Sequence, residues 1–226
     1  MSEYLKSIDP YNHLVTTSLS HGNLKGLWEL KTIDITQIHR YEPSFHFVEK
    51  SNEMVEQFKK PHLIGEYAIG WKGPGNDYPA SEYEGEFHDA MWRGMFSPLP
   101  IMTPSWWWDF HYDNKHYFHF KSLASVIKIL TESNEKYKHI SFQNNKNIEL
   151  RGLQSDNITV VWIKKLSDKN IFAFNIPVLF DKEYNVRLFD TWTNEEIKNY
   201  VLKANNKVLF IEGNILKYRD IYFIIK

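Results

Sequence analysis

Lys60-Pro61-His62-Leu63-Ile64-Gly65-Glu66-Tyr67 is a short apolar run that ends in a single acidic residue, with Tyr67 and Trp71 on either side of the turn that follows. Residues 62–68 read as a β-strand. Side chains alternate across a strand, so His62, Ile64 and Glu66 are expected on one face. A carboxylate at the C-terminal end of a parallel strand is where a barrel keeps its chemistry. Glu66 is therefore the first candidate residue, and an acid on a surface loop is the alternative.

The neighbouring segments alternate in texture. Residues 2–8 read as the end of a helix stopped by Asp9-Pro10. Residues 13–19 and 33–39 read as strands, the second running out in His39-Arg40-Tyr41. Phe47, Val48, Met54, Val55 and Phe58 space an amphipathic helix over 45–60. Residues 70–80, rich in Gly and Pro, are a loop. Ser81 with Glu84 three residues on predicts a capping box opening a helix over 81–96. Residues 101–107 read as another strand, running into Trp106-Trp107-Trp108-Asp109, and 116–133 as a helix.

Such β-α alternation argues for a parallel sheet covered by helices. An eight-unit barrel takes about 250 residues, so four units take about 125. The expectation is an α/β domain over residues 1–134, about half a barrel. After a polar linker at 131–138 the texture changes. Short β-type runs at 140–142, 148–153, 159–164, 171–176, 184–190, 198–204, 207–212 and 218–225 predict an all-β, antiparallel β-sandwich over 138–226.

Composition narrows the function classes. The 226 residues carry 27 Lys+Arg against 28 Asp+Glu, a net charge of −1, so there is no electrostatic footprint for nucleic acid. Cysteine is absent, which excludes disulfides and thiolate metal sites. The first residues, Met1-Ser2-Glu3-Tyr4-Leu5-Lys6, have no apolar signal core, and no run approaches membrane-spanning length. The 15 Phe, 13 Tyr and 8 Trp fit either a core of large rings or a cleft that packs the flat C–H faces of sugars.

Candidate site residues gather at strand ends. Alternation puts Gln37, His39 and Tyr41 on one face, a polar series that is odd for an interior unless it lines a site. Three consecutive indoles cannot all be core, so at least one of Trp106, Trp107 and Trp108 faces outward. Asp109 is either an acceptor for a ligand hydroxyl or a cap. His111, His116 and His119 cluster with Asp109 and Asp113. A solvated loop fits this spacing better than a metal centre, and no metal or cofactor is expected.

In order, Asp9-Pro10-Tyr11-Asn12-His13-Leu14-Val15-Thr16-Thr17-Ser18, Asp34 to Tyr41, Lys60 to Tyr67 and Trp106 to Asp109 resemble the second half of a clan A glycoside hydrolase. The likeness is to family-5-like enzymes related to mannanases and cellulases, over strands five to eight. The resemblance implies a retaining enzyme acting on an oligo- or polysaccharide, of a type often secreted or periplasmic. Glu66 would be its nucleophile, Tyr41 would orient it, and His39 would shape the subsite. A strand-eight tryptophan would be the platform under the sugar, Trp107 being nearest the usual strand end. Trp71 and Asp109 would add substrate contacts. The chain departs from the family in one respect. The acid/base glutamate belongs to an Asn-Glu pair ending strand four. Asn52-Glu53 falls in an expected helix, and Asn134-Glu135 follows the last barrel helix. The expected partner is therefore an N-terminal half-barrel chain, or a second copy of this one.

Overall fold

The computed structural model describes residues 1–19, 24–97, 105–143, 145–169, 171–215 and 218–226. The fold is mixed α/β with several antiparallel sheets. The chain divides into two compact units, Met1–His116 and Tyr117–Lys226.

The first unit holds α1 (Ser2–Ile8), β1 (Thr36–Tyr41), α2 (Ser44–Phe58), β2 (His62–Ala68), α3 (Ala80–Met95) and α4 (Trp108–Asp113). β1 and β2 run parallel, and Ser105 forms a further parallel bridge to Tyr67. α2 ends where Lys59 turns left-handed at φ 53° and its N–H meets the Val55 carbonyl. Trp28, Ile33, Ile38, Met54, Ile64, Tyr67 and Ala90 form the core between strands and helices. Ile64 is fully buried, a burial worth about 1.5–3 kcal/mol.

Two expectations in this unit change, and a third lies largely outside the described residues. Residues 13–19 form no strand. Their contact with the residues leading into β1 runs through Val15 and Thr16: Val15 takes N–H bonds from Asp34 and Ile35 on its carbonyl and gives its own N–H to the Asp34 carboxylate, and the Thr16 hydroxyl donates to the Ile35 carbonyl. A side chain thus replaces the ladder. The capping box is not made, because α3 starts at Ala80 after Pro79 and Ser81 already lies inside the helix. The expected strand at 101–107 falls largely outside the described residues. Its described end is the Ser105 bridge, after which Trp107 precedes α4.

The second unit opens with α5 (Phe120–Glu132), which the sequence order had placed with the first. Eight strands follow: β3 (Lys138–Ile140), β4 (Ile148–Gln154), β5 (Thr159–Lys165), β6 (Ile171–Pro177), β7 (Glu183–Asp190), β8 (Glu196–Lys203), β9 (Val208–Asn214) and β10 (Asp220–Ile225). They pair antiparallel in a six-stranded sheet, β3-β4-β5-β10-β7-β8, and a two-stranded one, β6-β9. One apolar core lies between them, with Val161, Ile163, Ile221 and Phe223 from the larger sheet and Phe172, Ile176, Leu209 and Ile211 from the smaller. β6 alternates buried and exposed residues, as a strand with one wet face must. β10 is buried at every position, which explains its unbroken apolar run.

Candidate functional site

Strand alternation alone would leave Glu66 on the helix-facing side with His62 and Ile64, and the structure corrects this. The register runs Ile38↔Ile64 and then His39↔Glu66, so Gly65 is an extra residue bulged out of β2. His62 and Ile64 stay on the buried face, where Thr36 Oγ1 meets His62 Nδ1 at 2.8 Å. Glu66 turns to the opposite face, beside His39 and Tyr41. A Cβ on Gly65 would lie 2.2 Å from Nε2 of Gln37, so any larger residue there would have to displace that amide. Gln37, part of the polar series, packs its amide over the bulge.

The Glu66 carboxylate receives a short hydrogen bond from the Tyr41 hydroxyl on Oε2. Nδ1 of His39 lies 3.1 Å from the same oxygen, without the angle for a hydrogen bond. Glu66 keeps 29% of its side chain exposed, while His39 keeps 8%. Burial first, and the Glu66 carboxylate second, push the Tyr41 phenol well above its ordinary range. Tyr41 therefore stays a protonated donor at neutral pH. A carboxylate so held is oriented, reachable and free to use its second oxygen.

Aromatic rings stand next to it. Trp71 and Trp106 stack at 5.7 Å with planes 14° apart, and Tyr41 meets their edges at 4.8 and 6.5 Å. Trp106 is brought to this group by its N–H bond to the Tyr67 carbonyl, 2.7 Å. Trp107, expected nearest the site, is a brace instead. Its indole N–H donates to the Gly70 carbonyl at 3.2 Å, and its ring packs with Ala68, Ile69 and Tyr83. Trp108 is 70% exposed, and Asp109 is exposed in the first turn of α4; no contact joins either to Glu66.

The loop that carries Trp71 is fixed from below. Asp77 accepts the Lys72 N–H at 2.8 Å and the Tyr83 hydroxyl at 2.6 Å, and Tyr83 also reaches the Gly70 carbonyl. Desolvation raises the Asp77 pKa, but these bonds outweigh it and hold the carboxyl below its usual value. On the other face of β2, Tyr67 donates to Glu86 at 2.9 Å; Glu86 also bonds Ser44 and meets Arg93 at 3.3 Å. Sequence reading missed this buried group. Its signal was Glu86, Asp89 and Arg93, spaced three, four and seven residues apart and so on one face of α3.

The histidine cluster corrects another expectation. His111 and His116 are buried, not solvated, and their Nδ1 atoms lie 3.0 Å apart. One must donate and the other accept, so both rings cannot be charged there. Burial first, then His116, lowers the His111 pKa to about 4. His119 is buried in the second unit against Trp192, ring centres 4.5 Å apart. Among the described residues no group of three or more His, Asp or Glu is placed to hold a metal ion, and no helix is long and apolar enough to cross a membrane. Glu53 lies within α2, and the Glu135 carboxylate bonds Asn157 in the second unit.

No family model matches the sequence, and no curated protein does. Solved structures do. The chain is similar to a family 5 glycoside hydrolase from Bacteroides vulgatus, at 13% identity and TM-score 0.63, over 99% of this chain and 57% of that one. It is similar to a GH30 endoxylanase from Clostridium papyrosolvens, at 11% identity and TM-score 0.55, over 90% and 50%. A GH44 endoglucanase from Clostridium acetobutylium matches at 12% identity and TM-score 0.55, over 86% and 47%. The likeness is one of fold. The chain spans about half the length of these proteins.

Proposed function

We propose that this chain is the C-terminal part of a retaining glycoside hydrolase acting on β-linked glycans. In this reading residues 1–134 carry about strands five to eight of an eight-stranded barrel, and residues 138–226 a β-sandwich. The contact of Tyr41 and His39 with Glu66, beside the stacked Trp71 and Trp106, carries the proposal. Glu66 attacks the anomeric carbon and forms a glycosyl-enzyme, with Tyr41 holding the carboxylate in line. Trp106 and Trp71 form the platform, His39 shapes the subsite, and Trp108 and Asp109 serve outer contacts. The leaving oxygen needs a proton from a second carboxyl about 5–5.5 Å away. That acid/base glutamate is supplied by a polypeptide carrying the first half of the barrel, or by a second copy.

An activated aryl β-glycoside, whose leaving group departs without protonation, tests the nucleophile alone. The expected result is slow glycosylation of the chain, located by mass spectrometry at Glu66 and absent in Glu66→Gln. A label elsewhere, or none, sinks the assignment. Rapid hydrolysis of an ordinary aryl β-glycoside by the purified chain would overturn the missing acid/base. The exposed, stacked Trp71 and Trp106 also suit a carbohydrate-binding protein without catalysis. Tryptophan quenching by oligosaccharides with no adduct on Glu66 favours that second reading.

A further inference from the structure

The second unit holds a groove of about 350 Å³ that runs along β6 and reaches Phe210 of β9. β6 pairs only with β9, so among the described strands its other edge has no partner. Phe142 and Phe174, edge to face at 5.7 Å, line its apolar part. Ser141, Gln143, Asn145 and Asn175 supply the polar part. No residue lining it is ionisable.

Among the described residues the side chains of Gln143 and Asn175 find no hydrogen-bond partner, although each carries both donors and an acceptor. Asn175 stands directly across from Phe210 in the β6–β9 ladder. Their side chains are neighbours on the outer face of the small sheet, and the Phe210 ring is 52% exposed at the groove. An exposed ring flanked by unpaired amides, with no charge, is poorly suited to a phosphate, an acidic peptide or a cation. It suits a neutral molecule that has an apolar face and many hydroxyls. The volume is in the range of small-molecule sites.

We infer that this groove is a second glycan-binding site, which takes a neutral pyranose oligosaccharide on Phe210 with Asn175 and Gln143 bonding its hydroxyls. The site lies wholly in the second unit, so it stands whether or not Glu66 is a nucleophile.

Calorimetric titration of the full chain with cellotetraose, mannotetraose, xylotetraose and a charged oligogalacturonide tests it. At least one neutral probe should bind, and its binding should survive Trp71→Ala/Trp106→Ala. Phe210→Ala should weaken it on the order of tenfold, and Asn175→Ala should weaken it too, with unfolding midpoints unchanged. The inference is overturned by a folded chain that binds none of the neutral probes, by binding that falls with the tryptophan pair but not with Phe210, or by preference for the charged probe. Binding of an extended peptide at the β6 edge in place of any saccharide would equally overturn it.

Discussion

At the residue scale, the single hydroxyl of Tyr41 ties Glu66 to the β1 side of the site. Burial raises the phenol first and the Glu66 charge adds to it, so the folded value lies above the ordinary 10. A raised folded value means that Tyr41 contributes stability below pH 10, which is lost as pH climbs through the folded value. Ultraviolet titration should show this tyrosine ionising late, together with Tyr67, Tyr83 and Tyr222, which are also raised, and Glu66→Gln should bring the Tyr41 part of the curve some of the way back. An unchanged curve in Glu66→Gln would mean that the bond is not made in solution. The opposite sign holds for His62 and His111. Burial, then Arg40, lowers His62 to about 4, and burial, then His116, lowers His111 to about 4, both from 6.5. Their neutral forms stabilise the fold above pH 6.5. That stability falls as pH drops from 6.5 toward 4, by up to about 3 kcal/mol each. Urea unfolding at pH 7 and pH 5 should show the loss, and His62→Gln should blunt the pH dependence. Equal stability at both pH values would refute the assignment.

At the element scale, β2 was legible to its ends from its apolar run, and seven of the eight strands of the second unit were legible from their short runs and polar breaks; the first, expected at 140–142, forms at Lys138–Ile140. The bulge was not. Alternation is a rule of regular pleating, and nothing in Ile64-Gly65-Glu66 announces that the glycine drops out of the ladder. The clue is steric and lies on another strand, where the Gln37 amide occupies the space a Cβ would need. Gly65→Ala should therefore cost about 1–3 kcal/mol through overpacking. Gln37→Ala in the same chain should recover most of it, a coupling readable in a double-mutant cycle by chemical denaturation. Additive effects would show that the two residues do not share that space. The strand expected at 13–19 failed for a related reason. The Asp34 carboxylate does work that a ladder would otherwise do, and propensity does not register such a substitution. The tryptophans were legible as a set, but not which one meets Tyr41. That depends on where the strand stops, and Trp106 is the last residue bonded to β2.

At the scale of the whole molecule, each unit has its own apolar cluster. In the second, Phe223 is fully buried with its ring set edge-on to Phe172 and Phe174 at 5.8 and 6.0 Å. Phe223→Ala should destabilise the protein by about 3–5 kcal/mol. Hydrogen exchange should report the loss first in β5, β7 and β10, which flank it. Protection unchanged in those strands would show that the cluster is not their common support.

The bulge at Gly65 also acts as a one-residue shift of phase in a code of period two. Upstream of it the strand is written for the helix layer, and Glu66 is written for the opposite side. Were Gly65 taken into the ladder as an ordinary pleated residue, every chemical group of the site would still be in the chain and its carboxylate would point at the core. Because the orientation of Glu66 is set by a neighbour with no side chain, an inventory of acids, tyrosines and tryptophans can be complete and still describe a site that does not assemble.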